Sequence, residues 1–277
     1  PAEFMAATLN SFLGNLDKIP QYIDECKNLG IEILKPDINK SDAKFTVENG
    51  KIRFGLGSVK NVGTVPVDNI VKERNEHGEY KSFTEVCERV ADEAVNKKCI
   101  ESLIKAGVFS EFPQTRATLL ASFESIMDSI QSNNKKGLNG QVSMFDLGTE
   151  EQKEEMQEKK YSFEEHQEFS NKELLSMEKE MLGIYISGHP LEKLRTQIEK
   201  ETTISTKEIR EMENQVSMEQ GLGQENENNI KPKYQDGQRV KYAGIITAIK
   251  KKYTKNNKIM AFVTIEDLYG PAEIILF

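Results

Sequence analysis

The 277-residue chain is poor in the residues that form covalent or metal crosslinks, with three cysteines and three histidines. Cys26, Cys87 and Cys99 are odd in number and widely spaced. They predict neither a disulfide framework nor a zinc site, and they fit a reducing compartment. The histidines are far apart in the sequence: His77, His166 and His189. Because no group of Asp, Glu and His has metal-ligand spacing either, we expect no metal, no cofactor and no catalytic residue in this chain.

Long apolar runs are also absent. No stretch approaches the ~18–20 apolar residues of a membrane span, and no basic segment followed by an apolar one opens the chain, so we expect neither a transmembrane protein nor a secretory signal. Walker and dinucleotide-binding fingerprints are missing as well. The length predicts two or three domains. Since the chain begins without Met in a predicted helix and ends in a predicted strand, we expect a fragment of a longer protein.

The charge is unevenly distributed. The formal net charge is −8, but 150–182 contains 5 basic and 11 acidic residues, whereas 230–277 contains 9 basic and 4 acidic residues. The acidity is therefore concentrated in the middle of the chain, and the last segment is basic. Binding to nucleic acid depends on local patches, so the acidic total does not exclude it.

Apolar spacing and turn residues predict a multidomain, mainly α protein that ends in β-strands. The predicted helices cover 2–13, 17–29, 82–90, 96–106, 113–131 and 164–182. Predicted strands are Ile31–Leu34, Phe45–Val47, Lys51–Phe54, Val240–Lys251, Ile259–Asp267 and Ala272–Phe277. Asn49-Gly50 is the strongest hairpin signal, because both residues tolerate positive φ. Residues 132–140 and 213–230 have the composition of linkers or loops.

Residues 55–63 (Gly-Leu-Gly-Ser-Val-Lys-Asn-Val-Gly) resemble the turn of a helix-hairpin-helix motif. In such a turn, backbone N–H groups and the following helix N-terminus attract a nucleic-acid phosphate. The candidate duplex-phosphate contacts are Gly57, Lys60, Asn61, Gly63, Thr64 and Arg74. Asn61 stands where the motif usually has Gly, and Asn is the residue that best tolerates positive φ after Gly. The alternative is a glycine-rich packing turn.

A second segment, Lys105-Ala106-Gly107-Val108-Phe109, resembles a degenerate copy of this hairpin. It lacks the glycine pattern of residues 55–63, so we expect a packing role for it.

Gln141-Val142-Ser143-Met144-Phe145 lies between a polar linker and an acidic stretch. Apolar anchors in a solvated segment usually dock into a pocket of a partner. The spacing Gln-x-x-Met-Phe resembles the bacterial sliding-clamp-binding motif. The candidate clamp contacts are therefore Gln141, Ser143, Met144 and Phe145. The alternative is that Met144 and Phe145 pack onto their own domain.

The C-terminal strands resemble the first three strands of an OB-fold, a barrel that binds single strands through a basic groove and aromatic stacking. Alternation predicts that Phe262 is in the core and that Tyr253 is available for stacking. The candidate single-strand contacts are Lys250, Lys251, Lys252, Tyr253, Lys255 and Lys258. The alternative is a solvated strand edge whose lysines discourage pairing.

The order of these motifs resembles the alpha subunit of bacterial replicative DNA polymerase III. The segments that carry the resemblance are Pro1–Ala7, Pro36–Asn39, residues 52–63, Asn96–Phe109, Gln141–Phe145, Leu182–Leu191 and the final strands. Lys35 departs from the family, which usually has a second Pro there. The resemblance implies five regions: the end of the fingers domain (1–50), a helix-hairpin-helix domain (51–135), a linker with the clamp motif (136–148), a connector (149–236) and the start of an OB domain (237–277).

The resemblance also implies a function. In that family the whole protein is a DNA-directed DNA polymerase, a nucleotidyltransferase that uses Mg²⁺ bound by palm-domain aspartates. This chain would be a non-catalytic, cytoplasmic segment that binds primer–template duplex, the sliding clamp and single-stranded template, with other replisome subunits binding elsewhere on the protein. The alternatives are an interaction scaffold without DNA affinity and an enzyme with nucleic-acid chemistry of its own.

Overall fold

The computed structural model describes residues 1–13, 18–90, 95–137, 161–212, 234–235, 237–253 and 256–277. These residues form two compact units, Pro1–Gly188 and His189–Phe277. The division at Gly188 falls within the region predicted as a connector (149–236). No helix among the described residues has the length and apolar character needed to cross a bilayer.

Helices and a small sheet build the first unit. The helices are α1 (Ala2–Ser11), α2 (Ile19–Asn28), α3 (Thr64–His77), α4 (Phe83–Val90), α5 (Lys97–Lys105), α6 (Arg116–Gly137) and α7 (Asn171–Leu182). The strands are β1 (Ile33–Leu34), β2 (Thr46–Glu48) and β3 (Lys51–Arg53), in the order β1-β3-β2. β3 pairs parallel with β1 and antiparallel with β2.

Local signals place most boundaries in this unit. Asn49 and Gly50 have φ of 50° and 78° and connect β2 to β3, as the hairpin signal predicts. The side chain of Asn96 accepts the N–H of Cys99 at 3.0 Å and begins α5. Gly107, with φ of 77°, follows its end.

Two boundaries differ from the prediction. Helix α6 begins at Arg116 rather than Pro113, because the Thr115 hydroxyl accepts the N–H of Thr118 at 3.0 Å and caps the first turn. It continues to Gly137, through six residues predicted as linker. Helix α7 begins at Asn171 rather than residue 164, because Ser170 forms a capping box with Glu173.

The residues before α7, 161–170, form an extended strap along α6. The backbone N–H of His166 donates to the Thr118 hydroxyl at 2.9 Å, and that of Glu164 donates to the Ser122 hydroxyl at 2.8 Å. Hydroxyl groups on a helix surface thus satisfy backbone groups that a strand partner would satisfy in a sheet. The helical prediction failed here because these partners lie more than 40 positions away in the sequence.

One apolar core runs through the first unit. Helix α6 contributes a buried apolar stripe of Leu119, Phe123, Ile126, Met127 and Ile130, and Leu120 beside it is partly buried. The rings of Phe83 and Phe109 meet edge to face with their centroids 5.0 Å apart, joining α4 to the segment after α5.

The second unit contains a short helix, α8 (Arg195–Glu201), and an antiparallel sheet β4-β5-β6 (Ile245–Tyr253, Ile259–Asp267, Gly270–Leu276). Buried Asp267 accepts the backbone N–H of Thr206 at 2.7 Å, and the Thr206 hydroxyl lies 2.7 Å from that of Tyr242. Burial raises the pKa of Tyr242 to about 12. The fold class is therefore as predicted, mainly helical with a three-stranded sheet of the kind that opens an OB-fold.

Candidate nucleic-acid interface

The first hairpin is the segment Gly55–Gly63, which a 3₁₀ turn (Leu56–Ser58) opens and α3 follows. Gly57 packs against its own chain, since its N–H donates to the Ala43 carbonyl at 3.0 Å. A Cβ at this position would lie 2.7 Å from the same oxygen. Gly57 was predicted to approach a phosphate. Its N–H is occupied, so the glycine is required for packing and cannot donate this group to a phosphate.

Lys60 and Asn61 form the exposed tip of the first hairpin. The backbone N–H of Lys60 donates to the Met181 carbonyl at the end of α7 at 2.9 Å, while its side chain is exposed. Asn61 has φ of 64°, the conformation for which the motif usually has glycine. The end of α7 therefore holds the tip from behind and leaves the Lys60 ammonium group in solvent.

Gly63 is the N-cap of α3, and no side chain caps this helix. Gly63, Thr64 and Val65 are exposed. Gly63 has φ of −76°, and a Cβ there would meet only the Pro66 side chain, at 3.6 Å. The first-turn N–H groups carry the positive end of the helix dipole. The surface at this end of α3 is therefore open and electropositive, as a phosphate site requires.

Arg74 was predicted to contact phosphate, and the structure corrects this. Its side chain is 8% exposed. The guanidinium group donates to the carbonyls of Ile38 and Ser41 at 3.0 and 2.7 Å and pairs with Asp42 at 2.8 Å. Arg74 thus fixes α3 to the segment before β2. Its position on the buried stripe with Val67 and Ile70 was the sequence signal for this role.

The second hairpin, Lys105–Phe109, is closed. Val108 and Phe109 are buried, and the Val108 carbonyl accepts the N–H of Ile38 at 3.1 Å. The guanidinium group of Arg116 lies directly over Gly107, where a Cβ would overlap it. This segment has the packing role that its sequence predicts.

Sequence reasoning missed Glu178, which is 2% exposed on α7. Its carboxylate pairs with Arg116 at 3.3 Å and accepts the backbone N–H groups of Ile186 and Ser187 at 3.3 and 3.0 Å. The Ser187 hydroxyl also donates to it. Glu178 lies on the same stripe as buried Leu175 and Leu182, and an acid among apolar residues at helical spacing was the available signal.

Comparison with known proteins identifies this region. Residues 30–119, which include both hairpins, match the family model described as "Helix-hairpin-helix motif". The whole chain is 34% identical to the DNA polymerase III subunit alpha of Borreliella burgdorferi, 36% to that of Treponema pallidum and 35% to that of Bacillus subtilis. The chain is a homologue of DNA polymerase III alpha subunits over its entire length. It spans 21–22% of the length of these relatives.

In this alpha-subunit homologue the predicted single-strand site divides between two faces of the C-terminal sheet. Lys250 pairs with Phe262 across the strands, whereas Lys251 pairs with Ala261 and therefore faces the other way. Lys252 is on the face of Lys250, and its ammonium lies 5.0 Å from the centroid of the Phe262 ring.

Tyr253 is on the opposite face from Lys252 and is 75% exposed. Phe262 was predicted to be in the core, but it is only partly buried, and its neighbour Val263, 5% exposed, occupies the core position. Lys258 is exposed, and Lys255 lies outside the described residues.

The clamp-motif residues Gln141, Ser143, Met144 and Phe145 also lie outside the described residues of this alpha-subunit homologue.

Within the described residues, Glu73, Glu76 and His77 bring possible metal-ligand atoms within 4.8 Å of one another. Glu73 already pairs with Arg89 at 3.2 Å and with His77 at 3.0 Å, so this is an ordinary surface ion-pair group.

Proposed function

We propose that this chain is the DNA-binding and sliding-clamp-binding segment of a bacterial replicative DNA polymerase III alpha subunit. In this role it holds the primer–template duplex and tethers the polymerase during processive chromosome replication in the cytoplasm. Nucleotidyl transfer, with its Mg²⁺ and its metal-binding aspartates, belongs to other parts of the polymerase. We therefore expect the chain alone to incorporate no nucleotide.

The observation that carries the DNA-binding part is the exposed, uncapped N-terminus of α3 beside Lys60. A duplex phosphate accepts hydrogen bonds from the N–H groups at Gly63 and Thr64, and the helix dipole adds attraction for the anion. The Lys60 ammonium adds a point charge at the same place. These contacts recognise the backbone and not the bases, so binding is independent of sequence and falls steeply with salt.

Support for clamp binding is the spacing of Gln141, Met144 and Phe145 in a polar stretch of an alpha-subunit homologue. Phe145 is the aromatic anchor, and removal of such an anchor costs about 2–4 kcal/mol of binding free energy. Single-stranded template is assigned to the face of the C-terminal sheet that carries Lys250, Lys252 and Phe262, where cations lie beside an aromatic ring.

The decisive experiment for DNA binding compares Gly63→Val with the unmodified chain. The substitution fits the extended conformation of Gly63 and meets no other backbone, so the fold should persist while the Cβ blocks a phosphate. We expect unchanged thermal unfolding and at least tenfold weaker binding of a fluorescent 20-base-pair duplex. Equal affinity of both proteins would place the duplex elsewhere, and no binding by the unmodified chain would favour a scaffold without DNA affinity.

Clamp binding is tested separately with the full chain and a purified bacterial sliding clamp. Phe145→Ala and Gln141→Ala should each abolish saturable binding without changing affinity for duplex. Phe163→Ala is the matched control, because this phenylalanine packs against the core of the first unit and is not part of the motif. Retention of clamp binding in both motif variants would contradict the assignment.

A further inference from the structure

We propose that Lys98 on α5 makes a second cationic contact with the duplex, so that the first hairpin and the beginning of α5 form one continuous phosphate-binding surface. The inference rests on the proposed function and extends it to a residue outside the hairpin motif. It follows from the contacts between the hairpin tip and α5 and from the charges around them.

A chain of contacts places Lys98 beside the tip. The amide nitrogen of the Asn61 side chain lies 3.5 Å from the Ser102 hydroxyl, which in turn donates to the Lys98 carbonyl at 2.9 Å. Ser102 follows Lys98 by one helical turn, so both lie on the same face of α5. Ser102 is buried beneath the tip, whereas Lys98 is exposed. Lys98 therefore lies one helical turn before the α5 residue that the hairpin tip contacts.

The other lysines of α5 are neutralised within the domain. Lys97 pairs with Asp128 on α6 at 2.7 Å, and Lys105 pairs with Glu101 at 2.6 Å. Within the described ranges, Lys60 and Lys98 have no carboxylate within 4 Å of their ammonium groups. Two uncompensated positive charges thus lie at the hairpin tip and at the start of the helix that the tip contacts, where they can each neutralise a phosphate.

The start of α5 contributes charge, and one of its first-turn N–H groups is already occupied. Its N-terminus is capped, because the Asn96 side chain accepts the N–H of Cys99 at 3.0 Å. The N–H of Cys99 is therefore not free for an anion. Lys98 is the group through which α5 attracts a phosphate, and the uncapped α3 provides the hydrogen-bond donors.

The test is a salt titration of duplex binding by the full chain. Each lost phosphate contact makes the negative slope of log K against log salt shallower by about 0.9. We expect Lys98→Ala to weaken binding about fivefold, equally for duplexes of different sequence. The slope should become less negative by about 0.9. Lys60→Ala should have the same effects, and the double variant should make the slope less negative by about twice as much. Lys172→Ala, a change at an exposed lysine at the opposite end of α7 from Met181, is the matched control and should change neither quantity.

Two outcomes distinguish failure of this inference from failure of the proposed function. If Lys98→Ala behaves like Lys172→Ala while Lys60→Ala weakens binding, the duplex-binding surface ends at the hairpin and the inference is wrong. If the unmodified chain does not bind duplex at all, the proposed function fails first. Thermal unfolding of each variant is the folding check, and Lys98→Gln should reproduce the loss if charge, rather than side-chain bulk, is responsible.

Discussion

The two hairpins of the first unit use similar turns for opposite purposes. At the first hairpin, the residue with positive φ is Asn61, and its tip and the N-terminus of α3 face solvent. At the second, the residue with positive φ is Gly107, and the guanidinium of Arg116 covers it. Both turns are held from inside the domain. They differ on their outer side, because solvent surrounds the tip of the first hairpin and Arg116 covers the glycine of the second.

This contrast shows that the backbone geometry of a hairpin does not by itself make a phosphate site. The second hairpin has the turn, but the N–H groups of Gly107 and Val108 already donate to the carbonyls of Ile104 and Leu103. The first hairpin is available because α7 supports it from behind through the Met181 carbonyl and leaves its outer side uncovered.

The largest effect is expected from removing the cover of the second hairpin. Arg116→Met leaves the buried Glu178 carboxylate without its cation, which costs about 3–5 kcal/mol of unfolding free energy. Urea denaturation measures the loss. The double variant Arg116→Met/Glu178→Gln is the control and should recover part of the stability, since no buried charge remains. Equal stability of Arg116→Met and the unmodified chain would show that the ion pair does not hold this hairpin.

A smaller effect separates the two hairpin glycines. Gly107→Ala forces a Cβ into the left-handed region and against Arg116, so we expect a loss of about 2 kcal/mol. Gly63 has ordinary dihedral angles and open space for a Cβ, so the free energy of unfolding of Gly63→Ala should stay within about 0.5 kcal/mol of that of the unmodified chain. Paired urea titrations measure both. Similar losses at the two positions would remove the distinction between a covered and an open hairpin.

The tip of the first hairpin should respond more weakly. Asn61 holds φ of 64°, so Asn61→Ala should cost about 1 kcal/mol, whereas Asn61→Gly should be neutral or slightly stabilising. Differential scanning calorimetry of the three proteins measures the order. A destabilising Asn61→Gly would mean that the contact with Ser102 matters more than the backbone conformation.

The smallest effect concerns the core behind the second hairpin. Phe83 of α4 contacts Phe109, and Cys87 of the same helix is buried, which raises the pKa of its thiol to about 12. The folded state therefore favours the neutral thiol, and its stability is intact below the unfolded pKa near 8.5 and falls as pH rises above it. We expect a loss of less than about 1 kcal/mol between pH 7 and 9. Cys87→Ala should reduce this loss in urea titrations at both pH values, and an unchanged pH dependence would contradict the assignment.

Features set by neighbouring residues were predictable from the sequence. The Asn49-Gly50 turn and the positive φ of Asn61 both follow from short-range backbone chemistry, and both are confirmed. The apolar stripe on α6 has the same local origin, because helical spacing alone brings these residues to one face.

Features that depend on distant partners were not predictable. The sequence around Arg74 predicts an unpaired cation. Its partners, the carbonyls of Ile38 and Ser41, are more than 30 positions away and reach it only in the folded chain. The strap 161–170 has a helical composition, but the hydroxyls of α6 offer its backbone a better set of partners. The clamp contacts at Gln141–Phe145 stay a prediction.

The packing of Gly57 against Ala43 has a consequence for how such motifs drift over evolutionary time. A glycine required by the protein's own backbone persists whether or not a ligand is ever bound, since its replacement damages the fold. Lys60 and Lys98 are under no such constraint, because both are exposed. A lineage that lost the need to bind DNA would therefore lose these lysines first and retain the glycines as a relic. A motif search that scores glycines would not detect the change, whereas one that scores the exposed cations would.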